Sequence, residues 1–330
     1  MTDRTSSGSP PYGPKYRTAL PQLSGHLFMM DGGLETTLVF HHGIELPFFA
    51  AADLLKDEAG TERLRAYYDH YAAGAAARGL GFVLDSPNWR SSPDWGARMG
   101  LSRAQLADIN RRGVTLMHEV RARQETALSP MVVSGVLGPR GDGYRADDRM
   151  SAAQARAYHA WQIAIHAQAS ADMVAAYTLT YAEEAIGIAG AAKDEGLPCA
   201  ISFTLETDGR LPSGQTLKEA ILQTDAETGG APAYYLINCA HPTHFADVLE
   251  EGAPWTARLR GLRANASRRS HAELDAAADL DAGDPAELGQ LYRVLRRRLP
   301  QITILGGCCG TDHRHVDAIC LACTAVDEAA

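Results

Sequence analysis

Eight short apolar runs, each followed by a longer stretch of helical periodicity, restrict this chain to very few architectures. The runs are "HLFMMDGG" (26–33), "GLGFVLDS" (79–86), "MVVSGVLG" (131–138), "DMVAAYTL" (172–179), "PCAISFTL" (198–205), "AYYLINCA" (233–240), "RLRGLRANAS" (258–267) and "ITILGGCC" (302–309). Most are continuous rather than alternating, as in parallel strands buried on both faces. Amphipathic segments such as 61–79, 102–123 and 151–169 separate them. Asp284-Pro285-Ala286-Glu287 reads as an N-cap with Pro at the first helical position, opening a helix to Arg298.

Eight strand–helix repeats match a (β/α)8 TIM barrel, an α/β fold built as a single domain. A doubly wound open sheet shares the alternation. The barrel is favoured because no Gly-x-Gly-x-x-Gly follows the first strand and because unusual residues gather at strand C-termini. Strand 7 is the weakest, since three arginines interrupt its apolar positions. Residues 1–24, rich in Ser, Gly and Pro at the start, read as a flexible leader without a signal-peptide core, ahead of a barrel over 25–330.

A formal net charge of −9 argues against nucleic acid or an anionic membrane as partner. No apolar run reaches the ~20 residues of a membrane span. The expected location is therefore cytoplasmic and the expected partners are small molecules, with a homo-oligomer left open. Six cysteines in 330 residues are no disulfide framework.

The strand ends carry the chemistry. They are Asp31-Gly32-Gly33, Asp85 to Asn88, Tyr177-Thr178, Asn238-Cys239, Asn265 and Gly306 to Gly310. In a barrel Cys239 and the adjacent pair Cys308 and Cys309 face one mouth. Flanking glycines would let both members of the pair turn inward. Three thiolates form a soft site for Zn²⁺, with the fourth tetrahedral position open. Such a centre carries net negative charge. It suits activation of a substrate thiol better than polarisation of a carbonyl. Cys199 inside strand 5, and Cys320 and Cys323 on the last helix, read as packing residues.

"MDGGLETTL", "NCAHP" and "GGCCGTDHRHVDAI" resemble three signatures of the zinc-dependent homocysteine S-methyltransferase family, over about residues 26 to 322. The resemblance implies a methyltransferase that moves a methyl group from S-methylmethionine, betaine or S-adenosylmethionine to the thiolate of homocysteine, forming methionine. It implies zinc on Cys239, Cys308 and Cys309. Asp31, Gly32 and Gly33 would hold the acceptor, and Asn238 and Asn265 would line the pocket. The chain departs from the family in two places. Strand 4 carries Tyr177 where a glutamate usually binds the acceptor's amino group. The segment after strand 2 carries Asn88, Trp89 and Arg90 in place of a Thr- and Tyr-containing pattern. A phenol cannot pair ionically with an ammonium, so another thiol or selenol acceptor is the alternative. Arg90 is a candidate for binding a carboxylate. Trp89 and Trp95 are candidates for stacking on a cationic donor or for loop packing. A barrel that binds thiol or metal without catalysis is the reading from another class.

Overall fold

The computed structural model describes residues 12–277 and 279–325. Eight parallel strands close into a barrel in sequence order: β1 (Phe28–Met29), β2 (Gly81–Asp85), β3 (Met131–Leu137), β4 (Met173–Leu179), β5 (Cys199–Thr204), β6 (Tyr234–Asn238), β7 (Leu259–Ala264) and β8 (Ile304–Gly307). Pairing of β1 with both β2 and β8 completes the ring.

The helices, in chain order, are α1 (Leu34–Thr36), α2 (Glu58–Ala77), α3 (Pro93–Arg98), α4 (Arg103–Gln124), α5 (Ala152–Gln168), α6 (Ala182–Asp194), α7 (Leu217–Thr228), α8 (Pro242–Phe245), α9 (His271–Asp275), α10 (Pro285–Arg298) and α11 (His313–Thr324). Most of their starts are set by side chains that accept orphan N–H groups. Ser102, Ser151, Thr216 and Ser270 each form a reciprocal capping box with the Gln or Glu three residues on. Asp284 caps α10 through the N–H groups of Ala286 and Glu287, as its sequence predicts. Among the described residues, no helix is long and apolar enough to cross a membrane.

Burial is divided by the sheet. Val83, Val132, Met173, Ala200, Leu236 and Ile304 fill the barrel interior. Residues of opposite parity pack outward against the helices. Of the three arginines around strand 7, Arg258 pairs with Asp225 outside the barrel, whereas Arg263 points to the barrel mouth. An interrupted apolar pattern is thus compatible with a strand whose last turn enters a polar site.

The described part of the expected flexible leader is seated under the barrel. Tyr16 and Leu20 pack against the inner core. Gln22 is fully buried and reaches Met173 and Tyr234. The backbone N–H groups of Lys15 and Tyr16 donate to Asp172, at 2.6 and 2.9 Å. Composition alone suggested flexibility, but three anchoring side chains and a buried carboxylate fix residues 12–24 in place. Residues 1–11 of that leader lie outside the described residues.

Candidate active site

Side chains in a regular strand alternate faces, so a strand end normally offers one residue to the barrel mouth. Three ends here offer two each. On β4, Tyr177 and Thr178 both reach the mouth, because the register with β5 shifts there and Thr178 has φ +63°. Past β6, Asn238 and Cys239 do so through φ +53° at Cys239. Past β8, Cys308 to Thr311 form a turn closed by the Thr311 N–H on the Cys308 carbonyl, 3.1 Å. Its third residue, Gly310, has φ +79°, the conformation a type II turn requires there. Gly307 serves a different need: a Cβ at that position would lie 2.1 Å from Thr311 Oγ1. Left-handed backbone costs a non-glycine residue about 1–2 kcal/mol, and strain of this kind gathers at functional sites.

The result is a pocket of about 470 Å³ at the C-terminal ends of the strands. The sulfurs of Cys239, Cys308 and Cys309 lie within 4.8 Å of one another in it, the only cluster of three or more ligating side chains among the described residues that could hold a metal ion. Zinc–sulfur bonds of ~2.3 Å at a tetrahedral angle would set the sulfurs ~3.8 Å apart, inside that limit, and three sulfurs are a donor set that Zn²⁺ takes. Hydrogen bonds from Cys239 and Cys309 hold the Cys308 thiol well below its ordinary range, and the same sharing pushes the other two up. Asn238 braces the cluster: its Oδ1 accepts from Ser202 Oγ and the Thr178 N–H, and its Nδ2 donates to Thr178 Oγ1. Tyr144, from the loop after β3, places its hydroxyl 3.8 Å from Cys239 Sγ and 3.6 Å from Cys309 Sγ. Its ring packs against that of His271 at a tilt of 33°, and His271 Nε2 lies 2.5 Å from the Cys239 carbonyl.

Beside the sulfurs lies a closed ionic network. Arg263 Nη2 donates to Asp31 Oδ1 and Nη1 to Asp85 Oδ2, both at 2.7 Å. Tyr67 donates to the other oxygen of Asp31, and Tyr177 donates to Asp85 across 2.7 Å. Burial raises the carboxyl of Asp31 to about 6 despite the guanidinium, and it raises Asp85 too. Burial works against the Arg263 charge, but Asp31, Tyr177 and Asp85 outweigh it and hold the guanidinium above its ordinary range.

Of the residues singled out from sequence, Asp31, Gly32, Gly33, Arg90, Tyr177, Asn238, Cys239, Cys308 and Cys309 line this pocket. Asn88 and Asn265 do not. Asn88 is fully buried, donating to the Ile109 carbonyl on α4. Asn265 is buried, its N–H donating to the Ala240 carbonyl. The Trp89–Trp95 slot is filled by the chain itself, since the Arg90 guanidinium lies 4.3 Å from one ring and 3.7 Å from the other. Burial lowers Arg90 to about 10. Sequence reading missed Arg263, Glu35, Tyr144 and His271, and took Asp85 only as part of a strand end without a role. The one available signal was a charged residue, Arg263, at the end of an apolar strand.

The sequence matches the homocysteine S-methyltransferase family over residues 28–323. A comparison with curated proteins found no match. Among solved structures, the homocysteine methyltransferase MmuM from Escherichia coli is similar in its oxidized form, with 21% identity and a TM-score of 0.71 over 89% of this chain and 95% of that one. Its metallated form gives 22% identity and a TM-score of 0.69 over the same shares, and its apo form 21% and 0.64 over 90% and 96%. At such identity the structural likeness speaks for the fold.

Proposed function

Since the chain belongs to the homocysteine S-methyltransferase family, we propose that it moves a methyl group from a small sulfonium or quaternary ammonium donor to the thiolate of homocysteine, with zinc on Cys239, Cys308 and Cys309. The observation that carries this reading is the convergence of three sulfurs from two separate strand ends inside the main pocket.

When bound, zinc supplies deprotonation of the acceptor thiol at neutral pH while leaving its sulfur nucleophilic. The chain's own residues do the rest. Asn238 and the turn at Gly310 fix the sulfurs, so their positions do not have to be organised at the moment of reaction. Carboxylates lining the pocket outnumber guanidiniums seven to two, which favours a cationic donor over an anionic one. Attack of a thiolate on an onium methyl annihilates charge, so withdrawing the reacting pair from water favours the transition state over the separated ions. The departing sulfide or amine is neutral and needs no general acid, and no side chain is assigned that role.

One observation favours a second acceptor. Asp31, expected with Gly32 and Gly33 to hold the acceptor amino acid, is occupied by Arg263, and a different thiol or selenol would not need it. The test is a panel of thiols against S-methylmethionine, betaine and S-adenosylmethionine, with product detected by mass, alongside metal analysis. Near-stoichiometric zinc in the native protein, lost together with homocysteine methylation in Cys308→Ala, supports the proposal. Protein that binds no zinc under reducing conditions, or that methylates only other thiols, overturns it.

A further inference from the structure

Most carboxylates of the pocket are already committed. Asp31 and Asp85 are bound to Arg263, Asp281 accepts from Ser267, and Asp142 accepts from the Tyr144 N–H. Asp275 and Asp279 are exposed to solvent at the rim. Glu35 differs from all of these. It lines the pocket, is largely withdrawn from solvent, and makes no hydrogen bond or ion pair with another described residue.

Its position is fixed against the sulfur-bearing turn. Two residues before it, the Gly33 N–H donates to the Thr311 carbonyl at 3.0 Å. One residue after it, Thr36 Oγ1 accepts from the Gly310 N–H at 3.2 Å. The backbone carrying Glu35 is therefore clamped to the turn that carries Cys308 and Cys309. Left alone there, the carboxyl is pushed up to about 7 by burial, with the charges of Cys308 and Asp31 adding to the effect. A cation placed beside it would relieve both the burial and the repulsion.

We infer that Glu35 receives the α-ammonium group of the acceptor amino acid, taking the role that strand 4 gives up by carrying Tyr177. The inference rests on the reading of the site as a homocysteine methyltransferase. The carboxylate has moved to the short helix α1 after β1, in the same pocket as the sulfurs and on the segment clamped to the turn that carries two of them. Glu35 is thus a specificity-determining residue rather than part of the bond-making machinery. An ammonium–carboxylate contact in an enclosed site is worth roughly tenfold to a hundredfold in affinity.

The test uses two acceptors that differ only in the amino group, L-homocysteine and 4-mercaptobutanoate, with the zinc-loaded full-length protein. Glu35→Gln is expected to lower kcat/KM for homocysteine by roughly tenfold to a hundredfold, mainly through KM. Turnover of 4-mercaptobutanoate should be unchanged, so that the preference between the two collapses. Glu35→Asp, which keeps the charge on a shorter arm, should keep part of the preference. Equal losses on both acceptors, an unchanged preference, or an effect confined to the donor's KM overturns the inference. If the wild-type protein methylates neither acceptor, the functional reading fails separately. Calorimetric titration with the same pair then decides the role of Glu35. Tighter binding of homocysteine that Glu35→Gln abolishes sustains the role, and equal binding of the two thiols removes it.

Discussion

Arg263 on β7 donates to Asp31 at the end of β1 across 2.7 Å, although the two residues are 232 positions apart in the chain. The same guanidinium holds Asp85 at 2.7 Å, so one cation ties three strand ends and shares two buried anions. Removing a single partner from such a group leaves buried charge uncompensated, which costs about 3–5 kcal/mol. Arg263→Met, close in length and apolar, is therefore expected to lose stability on that scale in urea unfolding. A loss under about 1 kcal/mol would mean that the carboxylates are already protonated in the folded protein.

The pH dependence of Asp31 runs opposite to that of most carboxylates. Its folded pKa of about 6 lies above the ordinary 3.8, so the folded state holds the proton more tightly than the unfolded chain does. Its contribution is fully present below about pH 4 and is lost as pH rises to about 6, a swing of roughly 3 kcal/mol. Asp31→Asn cannot titrate at that position. The stability of the wild-type protein relative to this variant should fall between pH 4 and 6 and then level off. A relative stability that stays flat between pH 4 and 6 and changes only below pH 4, rising with pH there, would show that Arg263 outweighs burial.

At Gly310, φ of +79° lets the chain turn directly after Cys309. Gly310→Ala introduces a Cβ that costs about 1–2 kcal/mol in this conformation and would lie 2.9 Å from the Asp281 carbonyl oxygen. The variant should fold with lowered stability and a displaced Cys309. Its zinc affinity, read by competition with a chelator, is expected to fall by roughly 10–100-fold, the scale on which groups supporting metal ligands act. Unchanged zinc affinity would show that the turn does not position the sulfurs.

What could be read in the sequence follows from how local each signal is. The strands were legible because both faces of most are buried, so most of their positions are apolar. The α10 cap was legible because Asp284 acts on its own next residues. Cys308 and Cys309 stood out because a glycine-flanked pair has no packing role to explain it. The Arg263 network was not legible, since its members lie at the ends of β1, β2 and β7 and are joined only by closure of the barrel. The seating of residues 12–24 was hidden for a similar reason: Asp172, which anchors them, lies more than 150 positions away. Asn88 shows the reverse error. It follows a strand end, yet its side chain turns to the Ile109 carbonyl on α4.

Tyr177 brings these arguments to one position. By resemblance, strand 4 would carry a glutamate there, and restoring it would look like a route to faster homocysteine methylation. The structure argues otherwise. The Tyr177 hydroxyl donates to Asp85 across 2.7 Å, so a carboxylate at this position would face Asp85 in a buried site where one guanidinium already serves two anions. Like charges this close cannot both ionise, and one takes up a proton. Tyr177→Glu is therefore expected to lower both stability and kcat/KM for homocysteine. Tyr177→Phe, which only removes the hydrogen bond to a buried carboxylate, should cost about 1.5–3 kcal/mol of stability while leaving the preference for homocysteine over 4-mercaptobutanoate intact. A rise in homocysteine turnover with Tyr177→Glu would place the ammonium site on strand 4 after all and take that role from Glu35.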